Sequence, residues 1–254
     1  MAVDEPSTTP AGVPQLVPGD KWIRGLLDGR TIVDSRRYLF VWELPYWPWW
    51  FFPRDHVAAE LMAAAAPDRG PALPAGAVRY DLVVGDRVLA GAARGYPDDP
   101  ELADYVTIDF KALDHWFEED VEVFVHPRSP YTRVDALASS RHVVVSLDGV
   151  ELANSRKPTV LFETGAPARF YLPMTDVNLE LLTRSRRRAS CPYKGDADFY
   201  SARVGDRTVD DIAWTYVLPR PEVTPIAGLI CFYNEIVDID IDGERQPRPT
   251  SHFA

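Results

Sequence analysis

Near its end the chain reads Ile236-Val237-Asp238-Ile239-Asp240-Ile241, with apolar side chains alternating with aspartates. A period of two predicts a half-buried strand with an acidic outer face. Elsewhere short apolar runs are separated by turn dipeptides. Asp28-Gly29 and Asp148-Gly149 predict tight two-residue hairpins. Gly85-Asp86 and Gly205-Asp206 suit the other favoured hairpin turn, with glycine first. Two stretches read instead as short helices: RDHVAAELMAAAA after Pro53 and MTDVNLELLTRS after Pro173, with Asp55 or Thr175 as possible N-caps.

The pattern occurs twice. Leu26 to Val57 overlays Ser146 to Val177 without a gap, at an offset of 120 positions. Ser35-Arg36 then meets Ser155-Arg156, Glu43 meets Glu163, and Pro53 meets Pro173. The same offset superposes the two Val-Gly-Asp-Arg motifs (84–87 and 204–207), Tyr80 on Tyr200, and Tyr96 on Tyr216. Two copies make a duplicated domain, not a solenoid. The expected organisation is a flexible arm (1–18), a diverged first repeat (19–128), a linker (129–140), a second repeat (141–245) and a flexible tail (246–254). Each repeat is predicted to be a hairpin, a strand, a helix, and three or four further antiparallel strands.

Charge narrows the partners. A formal net charge of −11 argues against nucleic acid and anionic membranes. No apolar run is long enough to span a bilayer, and the N-terminus lacks the charged-then-apolar order of a secretory signal. With only Cys191 and Cys231 and no paired Cys-x-x-Cys, neither a disulfide framework nor a structural zinc site is indicated. These features predict a cytoplasmic protein with reduced thiols, without metal or cofactor. A homodimer stays open.

Four segments carry a resemblance: SRKPTVLFETGAPARFYLP, CPYKGDADFY, AWTYVLPRPE and IAGLICFYNEIVDIDIDGE, together covering nearly all of Arg141 to Glu244. Through them the second repeat resembles the domain-of-unknown-function family number 427, and the first looks like a diverged member. The resemblance implies a β-tent fold, two antiparallel sheets meeting at a steep angle with a ligand cavity on one side. That fold is similar to the thalidomide-binding domain of cereblon and to the methionine sulfoxide reductase B family. Some of those relatives hold zinc on two Cys-x-x-Cys pairs, which this chain lacks. The family brings no established activity, and no paired-Asp motif for nucleotidyl transfer is present. The fold class is thus mainly β, two tandem β-tent-like domains with one short helix each.

Comparing the repeats points to a site. Cys191-Pro-Tyr-Lys-Gly195 falls opposite Pro-Ala-Leu-Pro-Ala (71–75), and Trp214 opposite Arg94. Thiol, lysine and indole are therefore absent together from those positions of the first copy, and an arginine in place of Trp214 is hard to fit in a core. The expected ligand site comprises Trp214, Tyr216, Tyr171, Lys194, Glu163, Cys191 and Gly195, within an aromatic set that also includes Tyr193 and Tyr200. In this reading Trp214 stacks a flat ring or covers an apolar group, and Lys194 holds an anionic or carbonyl end. Gly195 lets the backbone approach the ligand. Glu163 needs a cation, since a buried carboxylate is costly alone, and Lys194 or Arg156 could supply it. A salt bridge shared by both copies also explains its retention.

Three functions follow. The first is binding of a small molecule in the second repeat. The second is an enzyme using Cys191 or a Glu163–Lys194 pair as catalytic groups. The third is an interaction module built on Tyr46 to Phe52, YWPWWFF, which could equally be the interface between the two copies. Arg184 to Arg188, RSRRR, reads as a solvated loop pairing with the domain's own carboxylates.

Overall fold

The computed structural model describes residues 16–43, 47–66 and 72–251. They form two compact units that divide between Ser129 and Pro130. In the first unit seven antiparallel strands lie in the order Leu16–Gly19, Tyr38–Val41, Trp49–Pro53, Tyr105–Ile108, Arg87–Gly95, Val78–Val84, Glu60–Ala63. A second sheet has the order Val121–Val123, His115–Glu118, Ile23–Leu27, Arg30–Ser35. The second unit repeats this plan. Its larger sheet runs Val134–Ala138, Thr159–Glu163, Arg169–Leu172, Ile230–Phe232, Arg207–Tyr216, Gly195–Val204, Leu182–Cys191. Its smaller one runs Glu244–Arg245, Asp238–Ile241, Val143–Leu147, Val150–Ser155.

The turn chemistry agrees with the sequence. Asp28, Gly29, Asp148 and Gly149 all have positive φ, as a two-residue hairpin with that twist requires. Gly85 and Gly205 both sit at φ 59. The arginine of each Val-Gly-Asp-Arg motif bonds the turn aspartate of its own repeat: Arg87 to Asp28, and Arg207 to Asp148 at 2.6 Å. The retained serines are structural. Ser35 Oγ lies 2.8 Å from His56 Nδ1, and Ser155 Oγ donates to Asp176 at 2.7 Å.

The expected helices are not there. After Pro53 the chain makes a single 3₁₀ turn, Arg54–His56, and then the edge strand Glu60–Ala63. After Pro173 come the turns Met174–Asp176 and Leu179–Leu181, then the edge strand Leu182–Cys191. Neither Asp55 nor Thr175 caps a helix, the N-cap positions being Pro53 and Pro173. Pairing with the sheet, Leu61 on Leu82 and Leu182 on Ala202, overrides the local helical propensity of these stretches. Arg184 to Arg188 thus lie on a strand and not in a loop. Arg184 and Arg188 both bond Asp198, and Arg187 approaches Asp211 at 3.7 Å.

Segment boundaries also shift. Residues 1–15 of the expected arm lie outside the described residues, but Leu16–Gly19 is a strand paired with Tyr38–Val41. Within the expected linker, Val134–Ala138 is a strand paired with Thr159–Glu163. In the expected tail, Arg248 bonds Asp238 and Ser251 bonds Glu235.

The central strands of each larger sheet are buried on both faces. In the second unit, Val160, Phe170, Leu172, Ile230 and Phe232 face the smaller sheet and pack with Val143, Val145, Leu147 and Ile239. The alternating positions Leu161, Tyr171, Cys231 and Trp214 form a separate cluster on the other face, as the period of two dictates. Of YWPWWFF, Tyr46 lies outside the described residues, whereas Trp50, Phe51 and Phe52 are buried in the first unit's own core. Trp47 stacks on His126 with centroids 5.0 Å apart.

Between the sheets the two units fill equivalent space differently. Gly25 faces Trp116 across neighbouring strands, where the second unit places Val145 opposite Ile239. A Cβ on Gly25 would fall 2.6 Å from Leu113 and 2.9 Å from Trp116. Gly25→Val is therefore expected to destabilise the protein by about 1–3 kcal/mol through overpacking. Adding Trp116→Ile should recover most of that loss in urea denaturation. Additive losses in the double variant would show that the pairs are not interchangeable.

Candidate functional site

The site grows from one constraint. Glu163 ends the strand Thr159–Glu163, whose Val160 and Leu161 are buried, so its carboxylate is drawn toward the interior. Lys194, in the tight connection between Leu182–Cys191 and Gly195–Val204, meets it in an ion pair. The two side chains keep 12% and 13% of their exposure. Burial disfavours the charged lysine, but the Glu163 carboxylate and then Cys191 outweigh it, so its pKa ends above the ordinary value.

Cys191 is half-buried and lies close enough to act electrostatically on both Lys194 and Tyr216. The Tyr216 hydroxyl is pushed well above its usual pKa by burial, then by Cys191 and Glu163. Behind these residues Trp214 donates its indole N–H to the Tyr171 hydroxyl at 3.1 Å. Trp214 also packs on Tyr233, with centroids 4.6 Å apart. The structure thus brings together Glu163, Lys194, Cys191, Tyr216, Tyr171 and Trp214. It gives Trp214 a different position from the expected one, however, for its ring is buried among protein side chains.

Gly195 also has a different reason. Its φ is +98, and a Cβ there would lie 3.2 Å from the Leu218 carbonyl oxygen. The close approach is to the segment after Tyr216, whose Arg220 N–H donates to the Lys194 carbonyl at 3.0 Å. That segment turns through Pro221–Ile226 and seats the fully buried Val223 and Ile226 on the aromatic cluster.

Two partners escape the sequence reading. Arg169 and Glu235 form a buried bidentate pair, both contacts 2.7 Å, and Ser251 also bonds Glu235. The guanidinium lies 5.6 Å from the Trp214 ring centre and 5.8 Å from that of Tyr233. The signal is a charge inside the otherwise apolar Ala-Arg-Phe-Tyr-Leu, which demands a partner.

The first repeat solves the same problem by exchange. Arg94, at the Trp214 position, is buried after all. Its guanidinium binds Glu43 at 2.5–3.1 Å and Asp109 at 2.9 Å. It lies 4.2 Å from the ring centre of Trp49, and Trp49 occupies the position of Arg169. Cation and indole have traded strands, so the indole is moved and not lost. Asp109 donates its backbone N–H to Ala92, as Tyr233 does to Ile212 at the equivalent position. Tyr96 adds a hydroxyl donor to Glu43 at 2.8 Å, and that carboxylate keeps only 3% exposure.

Sequence comparison agrees with the duplication. A family profile described as a domain of unknown function (DUF427) matches residues 15–119 and again 135–243. The chain belongs to the DUF427 family. It carries two tandem copies, each built from antiparallel sheets with very little helix. No curated protein matches the chain. Among the described residues, no group of three or more His, Cys, Asp or Glu is placed to hold a metal, and no helix is long and apolar enough to cross a membrane.

The first DUF427 copy supplies a test of the buried-charge argument. Arg94→Met strands Glu43 without its cation and is expected to cost about 3–5 kcal/mol in urea denaturation. Glu43→Gln in the same chain should restore much of it. A loss below about 1 kcal/mol for Arg94→Met alone would mean that Tyr96 suffices for Glu43.

Proposed function

We propose that the second DUF427 copy binds a small molecule at Glu163, Lys194, Cys191 and Tyr216. The observation that supports this is the difference between two equivalent carboxylates. Glu43 is saturated by Arg94 and Tyr96 and is sealed. Glu163 accepts from Lys194 and remains within reach of solvent. An ionised carboxylate has about four lone-pair directions, so Glu163 has acceptor capacity left for a donor from outside. Trp214 and Tyr171 act here as the wall that fixes the rim. Core burial of Trp50, Phe51 and Phe52 weighs against the aromatic stretch as a docking face.

Native mass spectrometry of the purified chain tests this. A co-purified mass is expected in the wild type, lost in Lys194→Ala and in Trp214→Ala, and retained in Arg87→Ala of the first repeat. No bound mass, together with no thermal shift across a metabolite library, would remove the binding reading.

Catalysis is the second reading, favoured by one observation: the half-buried Cys191 sits beside a lysine cation. Cys231 is fully buried and its thiol is pushed up to about 12 by burial. Iodoacetamide near pH 7 should label Cys191 at least about tenfold faster than Cys231. Lys194→Ala should slow that labelling. Equal rates at the two thiols, or no effect of Lys194→Ala, would count against Cys191 as a nucleophile.

A further inference from the structure

The ion pair constrains what can enter. Glu163 and Lys194 cancel each other in a site where each side chain is about seven-eighths covered. The first repeat has no such balance, because Arg94 meets two carboxylates, Glu43 and Asp109. A ligand carrying one full charge faces an unfavourable choice at Glu163–Lys194. A carboxylate drawn to Lys194 sets two anions against one cation, so one negative charge in the covered site goes unpaired. An ammonium drawn to the remaining acceptor directions of Glu163 likewise leaves one positive charge in the covered site without a partner. Truncating one side of a covered charge pair is costly chiefly because the other charge is left alone.

A molecule with both charges escapes this. Its ammonium takes Glu163 and its carboxylate takes Lys194, so one ion pair becomes two and the net charge stays zero. An exposed apolar corner, Val217 and Leu218, the latter 86% exposed, follows Tyr216 in the chain. The Leu218 carbonyl packs against Gly195, so this corner adjoins the Lys194 turn. Resting on the binding reading above, we propose that the Glu163–Lys194 site takes a small zwitterion of the α-amino-acid type with an apolar side chain. The charged ends insert between Glu163 and Lys194, and the side chain covers Val217 and Leu218.

Calorimetric titration of the full chain tests the class. The probes are L-leucine and L-phenylalanine, against 4-methylpentanoate (anion only), isoamylamine (cation only) and N-acetyl-L-leucinamide (uncharged). Saturable binding is expected for at least one zwitterion, with the singly charged and uncharged probes weaker by about thirtyfold or more. Lys194→Met combined with Glu163→Gln removes both charges, leaves neither partner stranded, and should abolish the binding with an unchanged circular dichroism spectrum. Binding that survives in this double variant overturns the proposal, as does an anion or amide that binds as tightly as the amino acids. If no probe binds while a co-purified mass is still lost in Lys194→Ala, the ligand class is wrong and the site stands. If no probe binds and no mass is found, both readings fail.

Discussion

A carboxylate at the end of an apolar strand, or just past it, is the point on which each repeat turns. The strand must bury its neighbours, and the glutamate goes with them. Taking such a charge out of water costs several kcal/mol unless a cation and further donors meet it. Everything around Glu43 and Glu163 can be understood as an answer to that demand. In the first repeat an arginine on a strand answers it, helped by a tyrosine. In the second a lysine in a tight connection does so. A rigid guanidinium fork can satisfy both oxygens at once, whereas an ammonium is a point donor. The choice of cation therefore decides whether the carboxylate is closed off or kept available.

The exchange is wider than one pair. Moving an arginine to position 94 frees position 49 for an indole, and the indole again lies beside the guanidinium. In the second repeat the indole is at 214 and the arginine at 169, with Glu235 as the acid. Asp109 in one copy stands where Tyr233 stands in the other. No single step of this conversion is easy, because each alone would bury an unpaired charge. The two copies thus behave as alternative solutions of a coupled packing problem. The same holds between the sheets, where Gly25 with Trp116 replaces Val145 with Ile239.

How much of this the sequence carries depends on the range of the interaction. Turn chemistry is local, so the Asp-Gly and Gly-Asp hairpins could be named in advance, and the offset of 120 positions exposed the duplication. The strand Asp238–Ile241 announced itself by the alternation from Ile236 onward, and a third Asp-Gly turn, Asp242-Gly243, has the same positive φ angles as the other two. The helices failed because propensity is read residue by residue, whereas each stretch is captured by pairing with the next strand, Leu61 on Leu82 and Leu182 on Ala202. Cys191 and Lys194 were legible through the comparison of copies, and Glu163 through its place at the end of an apolar run. The burial of Arg94 was not, because its acceptors Glu43 and Asp109 lie just beyond the ends of two other strands. Nor was the covering of Trp214, which depends on the segment through Val223 and Ile226.

A sheet with two buried faces has a further consequence for how such a chain can change. In the second repeat the residues that join the sheets and those of the aromatic face sit on alternate positions of the same strands. A substitution at Tyr171 or Trp214 is felt on one side of the sheet, while Phe170, Leu172 and Ala213 continue to hold the other. One face can therefore drift while its reverse preserves the architecture. The backbone becomes a partition between an inherited scaffold and a surface open to new chemistry, and after a duplication each copy could be revised independently on that side alone.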